Sequence, residues 1–215
     1  MLDVHPPHGK VHGWWDFFVH LFTITVGLLI ALSLEGCVEW RHHRHLVHEA
    51  EASLREEIKT NAETVQGALD DVHKQRKFLE HDIDVLNYII KNKKHPEDAT
   101  MQIGYGLHIL RDVSWKTAQT STALSYMPYK DAQEYADLYT GQEKLAVADQ
   151  QAARDAIVSL APFAGTESGD PDPTGGQAAE IKNRIQILDG QLLLVDALMK
   201  SLDTEYKKFL AAHPE

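Results

Sequence analysis

Histidine and arginine side chains are concentrated in one short segment, between residues 41 and 48. This segment, called the basic collar here, comprises Arg41, His42, His43, Arg44, His45 and His48. On a helix, His42 and His45 lie near the same face as Glu49, because residues three and four apart are neighbours. Imidazoles at such spacings can bind zinc or a similar metal ion. We interpret the segment instead as a collar that contacts anionic lipid headgroups. A further alternative is a collar whose charge responds to pH through its histidines.

Two other segments carry residue types that could bind metal ions. The stretch Asp170-Pro171-Asp172-Pro173-Thr174-Gly175 begins like a calcium-binding loop, but Ile181 occupies the twelfth position, where such a loop needs a bidentate glutamate. A second group of histidines lies near two prolines and is interpreted as part of an N-terminal tail; it comprises His5, His8 and His12. We predict no metal site and no cofactor. Because no motif of a known catalytic centre is present, we also expect the protein not to be an enzyme.

Polar and aromatic residues are concentrated around one predicted helical hairpin. They are Trp115, Thr117, Thr120, Ser121, Tyr126, Tyr129, Tyr135 and Tyr139. Such residues can line a pocket for a small molecule inside a helical bundle. The alternative, which we favour, is that the rings belong to the core and that the hydroxyl groups are bonded locally.

A long uncharged segment near the N-terminus predicts a membrane anchor. Residues 17–34 contain no Asp, Glu, Lys or Arg, and a helix over them spans about 27 Å, close to the thickness of a bilayer core. Trp15 precedes the segment and Trp40 follows it, as interfacial aromatic residues do. We therefore predict a tail at 1–16 and a transmembrane helix at 17–37. A buried core helix remains open, as does a cleaved lipoprotein signal with the lipobox Leu34-Glu35-Gly36-Cys37, although Glu35 suits such a signal poorly.

One face of the predicted anchor combines small and polar residues. This set, called the anchor stripe here, comprises His20, Thr23, Gly27, Ala31 and Glu35. Spacings of three and four residues place them on one side of a helix. Because small residues allow the backbones of two membrane helices to approach closely, the stripe predicts a helix–helix interface.

The remainder of the chain predicts an all-α fold. Apolar residues at helical spacing indicate helices over about 40–92, 106–126, 128–160 and 177–212. The core-facing stripe predicted for the first of these helices comprises Leu54, Ile58, Asn61, Val65, Ala68, Val72, Leu79, Ile83, Leu86 and Ile90. The segment 163–176, rich in Gly, Pro, Asp, Ser and Thr, predicts a mobile surface loop. We therefore expect the anchor to continue into an antiparallel bundle of about four helices, with a soluble domain at 38–215.

Charge and length limit the classes of function. The chain has 215 residues and a formal net charge of −11, and an acidic surface repels the phosphate backbone of nucleic acids. We therefore expect no nucleic-acid partner. The expected partners are membrane lipids and either further copies of this chain or a larger membrane complex.

Three stretches of the sequence resemble an uncharacterised family of short single-pass bacterial membrane proteins. The first is His12-Gly13-Trp14-Trp15-Asp16-Phe17-Phe18, which leads into Gly27-Leu28-Leu29-Ile30-Ala31-Leu32-Ser33-Leu34-Glu35. The second is the basic collar followed by Leu54-Arg55-Glu56-Glu57-Ile58 and Asn61. The third is Trp115-Lys116-Thr117-Ala118, continuing through Met127-Pro128-Tyr129 to Tyr135 and Tyr139. The resemblance implies an N-terminal transmembrane helix and a helical soluble domain, but no particular chemistry.

These features together predict a membrane-anchored helical scaffold or accessory subunit that associates with other membrane proteins. The alternative is a receptor domain whose helical bundle senses a small ligand. We expect the protein in the bacterial inner membrane. Arg41, Arg44 and Arg55 follow the apolar segment, whereas only Lys10 precedes it, so the soluble domain is expected to face the cytoplasm, with the periplasm as the alternative.

Overall fold

The computed structural model describes residues 13–97, 99–163 and 175–214. Over these residues the chain is helical and contains no β-strand. The helices are α1 (Trp14–Asn92), α2 (Val113–Thr120), α3 (Ala123–Tyr126), α4 (Tyr129–Leu160) and α5 (Gly175–Ala212), with a 3₁₀ turn at Ala161–Phe163. The predicted all-α class is thereby confirmed, and so is a long apolar helix near the N-terminus.

The chain divides into two compact units, Met1–His48 and Glu49–Glu215. Helix α1 begins in the first unit and ends in the second. In the first unit, an apolar part of α1 is long enough to cross a membrane, and none of it is buried within the protein. Residues 1–12 of the predicted tail, which include its three histidines, lie outside the described residues.

Apolar stripes on three long helical segments form the core of the second unit. The largest fully buried aliphatic side chains include Leu54, Ile58, Leu79, Leu86 and Ile89 on α1, Leu145 on α4, and Ile181, Ile185, Leu188 and Leu192 on α5. Each such residue stabilises the fold by about 1.5–3 kcal/mol relative to an exposed position. The predicted stripe on α1 drifts near its end, where Val85 and Ile89 are buried in place of the predicted Ile83 and Ile90.

Polar contacts fix the direction in which α1 and α5 run. Arg55 Nε donates to the carbonyl oxygen of His213 at 2.7 Å, and Arg76 Nε donates to Asp189 Oδ1 at 2.8 Å. Between them, His73 Nε2 lies 2.8 Å from Asp196 Oδ1. Positions on α5 fall as positions on α1 rise, so the two segments are antiparallel.

Helices α4 and α5 are also antiparallel, and small residues bring them together. Gln191 Nε2 donates to the carbonyl oxygen of Ala148 at 3.1 Å, and Ala152 is fully buried. A Cβ at Gly141 would lie 3.3 Å from Leu202 Cδ1, tighter than an ordinary contact. Since α5 is antiparallel to both of its partners, α1 and α4 run in the same direction.

The connection between α1 and α4 therefore has to carry the chain back along the bundle. Residues 99–112, called the strap here, do this without regular secondary structure. The prediction of one helix over 106–126 is wrong for residues 106–112. Helices occur only at Val113–Thr120 and Ala123–Tyr126. The described residues thus form three long helices and two short ones.

A break at Thr122 separates α2 from α3. Thr122 has a φ of 62°, in the left-handed region that β-branched residues seldom adopt. The low helix propensity of the Ser- and Thr-rich sequence around it is consistent with the interruption. Of the predicted loop at 163–176, residues 164–174 lie outside the described part of the chain, including most of the calcium-like stretch.

Candidate functional site

Buried polar side chains on α1 hold the backbone of the strap. Both carboxylate oxygens of Asp82 accept from the backbone N–H of Gln102, at 3.1 Å each. Asn61 binds Arg111 twice: its Oδ1 accepts the backbone N–H and its Nδ2 donates to the backbone carbonyl, each at 2.8 Å. Asp82 and Asn61 are both fully buried. These side chains form the hydrogen bonds that the backbone of the strap would otherwise form within a helix or a sheet.

Glu57 joins the end of the strap to α4. Its Oε2 accepts from the backbone N–H of Ser114 at 2.9 Å, and its Oε1 accepts from the Tyr139 hydroxyl at 2.7 Å. The Tyr139 ring stacks on Trp115, with ring centroids 5.0 Å apart and planes inclined by 7°. One buried carboxylate therefore orients an aromatic pair formed by α2 and α4.

Asp149 on α4 binds the middle of the strap. It accepts from the backbone N–H of His108 at 2.9 Å and from the Tyr105 hydroxyl. Nδ1 of His108 lies 3.1 Å from the same carboxylate. The Asp149 side chain is only 4% exposed, so these donors replace the water that an ionised carboxylate would otherwise bind.

Burial shifts the titration of the groups around the strap. Burial raises the pKa of Asp82 above its ordinary value, against the opposing effect of the Gln102 N–H. Burial likewise raises the pKa of Tyr105 and Tyr139 well above the usual tyrosine value, and their bonds to Asp149 and Glu57 add to the effect. Both tyrosines therefore remain protonated donors throughout the physiological range.

The residues that bind the strap were mostly missed by the reasoning from sequence. Asn61 was assigned to the buried stripe of α1, but Glu57, Asp82 and Asp149 were not singled out. Two of them can be recognised by their position in the helix, because Glu57 and Asp82 fall at buried positions among the apolar residues of α1. A charged residue at such a position indicates a buried hydrogen-bonding partner, because an unpaired buried charge is costly.

A groove of about 780 Å³ lies between the strap, α2 and α4. It is called the strap groove here. Its lining includes Leu107, His108, Trp115, Tyr139, Gln142 and Asp149. The volume falls within the range of pockets that bind small molecules.

The structure brings together only part of the predicted polar and aromatic set. Trp115 and Tyr139 are stacked and line the strap groove. Tyr135 packs against Phe209 instead, at 5.1 Å between ring centroids. Tyr126 and Tyr129 are exposed. The favoured alternative, in which the rings belong to the core, is therefore wrong for these two residues. Its expectation of locally bonded hydroxyls holds for three others, which donate to backbone carbonyls of α2; they are Thr117, Thr120 and Ser121.

The anchor stripe lies on α1, on a part of the helix that is exposed. His20 Nδ1 lies 2.9 Å from the carbonyl oxygen of Asp16, and Thr23 Oγ1 donates to that of Val19 at 2.8 Å. These two polar groups are satisfied within the helix. Apart from the backbone of its own helix, no atom of the described residues lies within 4 Å of a Cβ placed on Gly27, so this part of the stripe is open to a second helix.

The basic collar also lies on α1, and most of its side chains are exposed. The Arg44 guanidinium lies over the Trp40 ring, 4.8 Å from its centroid. The rings of His42 and His43 are 6.0 Å apart. Within the described ranges, no group of three or more His, Cys, Asp or Glu side chains is arranged to hold a metal ion.

Comparison of the chain with protein-family models, with curated proteins and with solved structures gives no match in any of the three. The resemblance to short single-pass bacterial membrane proteins therefore stays a prediction.

Proposed function

We propose that this chain is a membrane-anchored helical scaffold or accessory subunit of a bacterial inner-membrane complex. Its apolar segment would lie in the bilayer, and its second unit would present a folded helical surface to partner proteins. The proposal depends on one observation: none of the apolar segment is buried, although the second unit has a core of its own.

The exposure of the apolar side chains supports the proposal of an anchor. Phe22 is 70% exposed, Ile24 is 68% exposed and Leu34 is 64% exposed. Contiguous apolar surface of this extent marks a membrane or protein interaction site. A helix suits a lipid environment because it satisfies its own backbone hydrogen bonds.

Membrane extraction tests the anchoring. The full chain is expected to remain with bacterial membranes during an alkaline carbonate wash and to be released by detergent. A variant lacking residues 1–37 keeps the whole second unit and is expected in the soluble fraction. Release of the full chain by carbonate alone would contradict the proposal.

We also propose that the anchor stripe forms the contact with a second copy or a partner helix. Gly27→Ile adds bulk where two backbones would approach most closely and is expected to lower self-association in a membrane two-hybrid assay. Gly36→Ile is a matched control, because nine residues place it on the opposite face of the helix. Equal signals from the two variants would argue against the stripe.

The second unit is proposed to face the cytoplasm, because arginines lie on its side of the apolar segment. An alkaline phosphatase fused to the C-terminus is active only after export, so it is expected to be inactive. An active fusion would place the second unit in the periplasm instead.

A second candidate function, the sensing of a small ligand, is favoured by the strap groove. This groove lies entirely within the second unit and has the volume of a small-molecule site. Sensing is compatible with anchoring, but it does not depend on anchoring.

A further inference from the structure

The strap groove contains an aromatic surface that is fixed in orientation. Tyr139 is 6% exposed and is held by its hydrogen bond to Glu57, and Trp115 is stacked on its ring. Leu107 and Ile109, both exposed on the strap, contribute aliphatic surface to the same groove. An aromatic ring held in this way loses little freedom when a ligand binds, which favours binding of a planar or aliphatic body.

Acidic groups dominate the charge of the groove. Asp112, Glu143 and Asp149 line it, and Lys116 is the only lysine or arginine along it, within the described part of the chain. Lys116 Nζ is paired with Asp112 at 2.6 Å. Asp149 is buried and already bonded by Tyr105 and His108. Among the described residues of the groove, the exposed Glu143 is thus the carboxylate without a lysine or arginine partner, in a chain of net charge −11.

The polar side chains of the groove include one incompletely paired amide. Gln142 lines the groove, is 6% exposed and donates through Nε2 to the carbonyl oxygen of Arg111 at 3.2 Å. Its Oε1 is buried and, among the described residues, has no hydrogen-bond partner. A buried acceptor without a donor is costly, so a ligand N–H or a bound water reaching it would be stabilised.

We infer that the strap groove binds a small organic cation, namely a protonated amine that carries an aromatic or aliphatic body. The body packs on Trp115 and on the aliphatic side chains of the strap, while the ammonium group lies toward Glu143. Anions are disfavoured by the carboxylates. Neutral analogues lose the attraction between charges, and cations without an apolar body lose the aromatic contact. This inference rests on the sensing candidate and is independent of the anchoring.

Binding can be tested with four probes on the full chain in detergent, by saturation-transfer NMR. The probes are phenethylammonium, phenethyl alcohol, 3-phenylpropionate and tetramethylammonium. Phenethylammonium is expected to bind most tightly, and 3-phenylpropionate is expected not to bind. Equal binding of the amine and the alcohol, or no binding of the amine at millimolar concentration, would overturn the inference. Neither result would affect the extraction test of anchoring.

Variants locate the site. The Glu143 side chain is exposed. Glu143→Gln is expected to weaken amine binding about threefold, an effect typical of the loss of one exposed charge. Trp115→Ala is expected to weaken binding about tenfold through loss of the aromatic contact. Glu63→Gln, an equally conservative change on an exposed part of α1 outside the groove, is the matched control. If Glu143→Gln binds the amine as tightly as Glu63→Gln does, the groove is not the site, whatever the effect of Trp115→Ala on folding.

Discussion

Individual polar residues at core positions determine how the strap is held. Asn61 and Asp82 are fully buried, and Glu57 and Asp149 nearly so, yet each has a hydrogen-bond partner on or beside the strap. The sequence shows such residues only as interruptions in an apolar pattern. Asn61 could be assigned to the core because its neighbours fixed the helical phase. The partner atoms could not be predicted, because they are backbone groups in a segment far away in the sequence.

Thr122 has an unfavourable backbone conformation that a substitution can relieve. Its φ of 62° is unfavourable for a β-branched side chain but readily adopted by glycine. We expect Thr122→Gly to raise the free energy of unfolding by about 1 kcal/mol, measured by urea denaturation. Thr120→Gly is the control, because Thr120 lies within α2, where glycine should destabilise by a few tenths of a kcal/mol relative to threonine. A loss of stability in both variants would show that Thr122 is not strained.

At the scale of elements, the long helices were predicted closely and the strap was not. The predicted limits near Asn92, Leu160 and Ala212 agree with the ends of α1, α4 and α5. These segments have many turns of consistent apolar spacing, with Pro96 just beyond the end of α1. In the strap, Leu107 and Leu110 have helical spacing by coincidence. Buried carboxylates bind the backbone there, so a side-chain pattern could not predict its path.

The strap's attachment to Asp82 should depend on pH in a definite direction. Burial raises the pKa of Asp82, which means that the folded state binds its proton more tightly than the unfolded chain does. The stabilising effect of that proton is lost as pH rises through the folded pKa. Relative to Asp82→Asn, the wild type is therefore expected to gain stability as pH falls from 7 toward 4.

Urea denaturation of both proteins at several pH values measures this difference. Asp196→Asn is a useful contrast. Although burial alone would raise the pKa of Asp196, the contacts with Lys200 and His73 lower it overall. For Asp196 the stability present at neutral pH should be lost on acidification, so the wild type should lose its advantage over Asp196→Asn. The same trend for both aspartates would contradict the assignment of Asp82.

At the scale of the whole molecule, the charges are arranged unevenly along the chain. The formal net charge is −11, but the basic collar contains two arginines and four histidines beside the apolar segment. An acidic protein is repelled by an anionic membrane surface, whereas a local group of cations is attracted to it. Of the sequence that follows the apolar segment, the collar is therefore the part best suited to contact anionic headgroups.

Contact of the collar with anionic lipid should strengthen on acidification, because protonated imidazoles add positive charge beside the two arginines. Protonation of its four histidines adds up to four charges, each contributing about 1 kcal/mol near an anionic surface. Mutual repulsion and salt screening reduce that total. A variant lacking residues 1–37 separates the collar from the anchor, and its binding to phosphatidylserine-containing vesicles is expected to rise from about pH 7.5 to about pH 5.5.

Replacing the four collar histidines by glutamine should abolish this rise, whereas His81→Gln, an exposed histidine elsewhere on α1, should preserve it. Equal binding of the unsubstituted variant at both pH values would reject a pH-responsive collar. Binding that increases only with added zinc near neutral pH, and decreases in acid, would instead indicate metal ligation, because a ligating imidazole must be unprotonated. The two mechanisms thus predict opposite effects of acid on the same segment, and one titration with and without zinc distinguishes them.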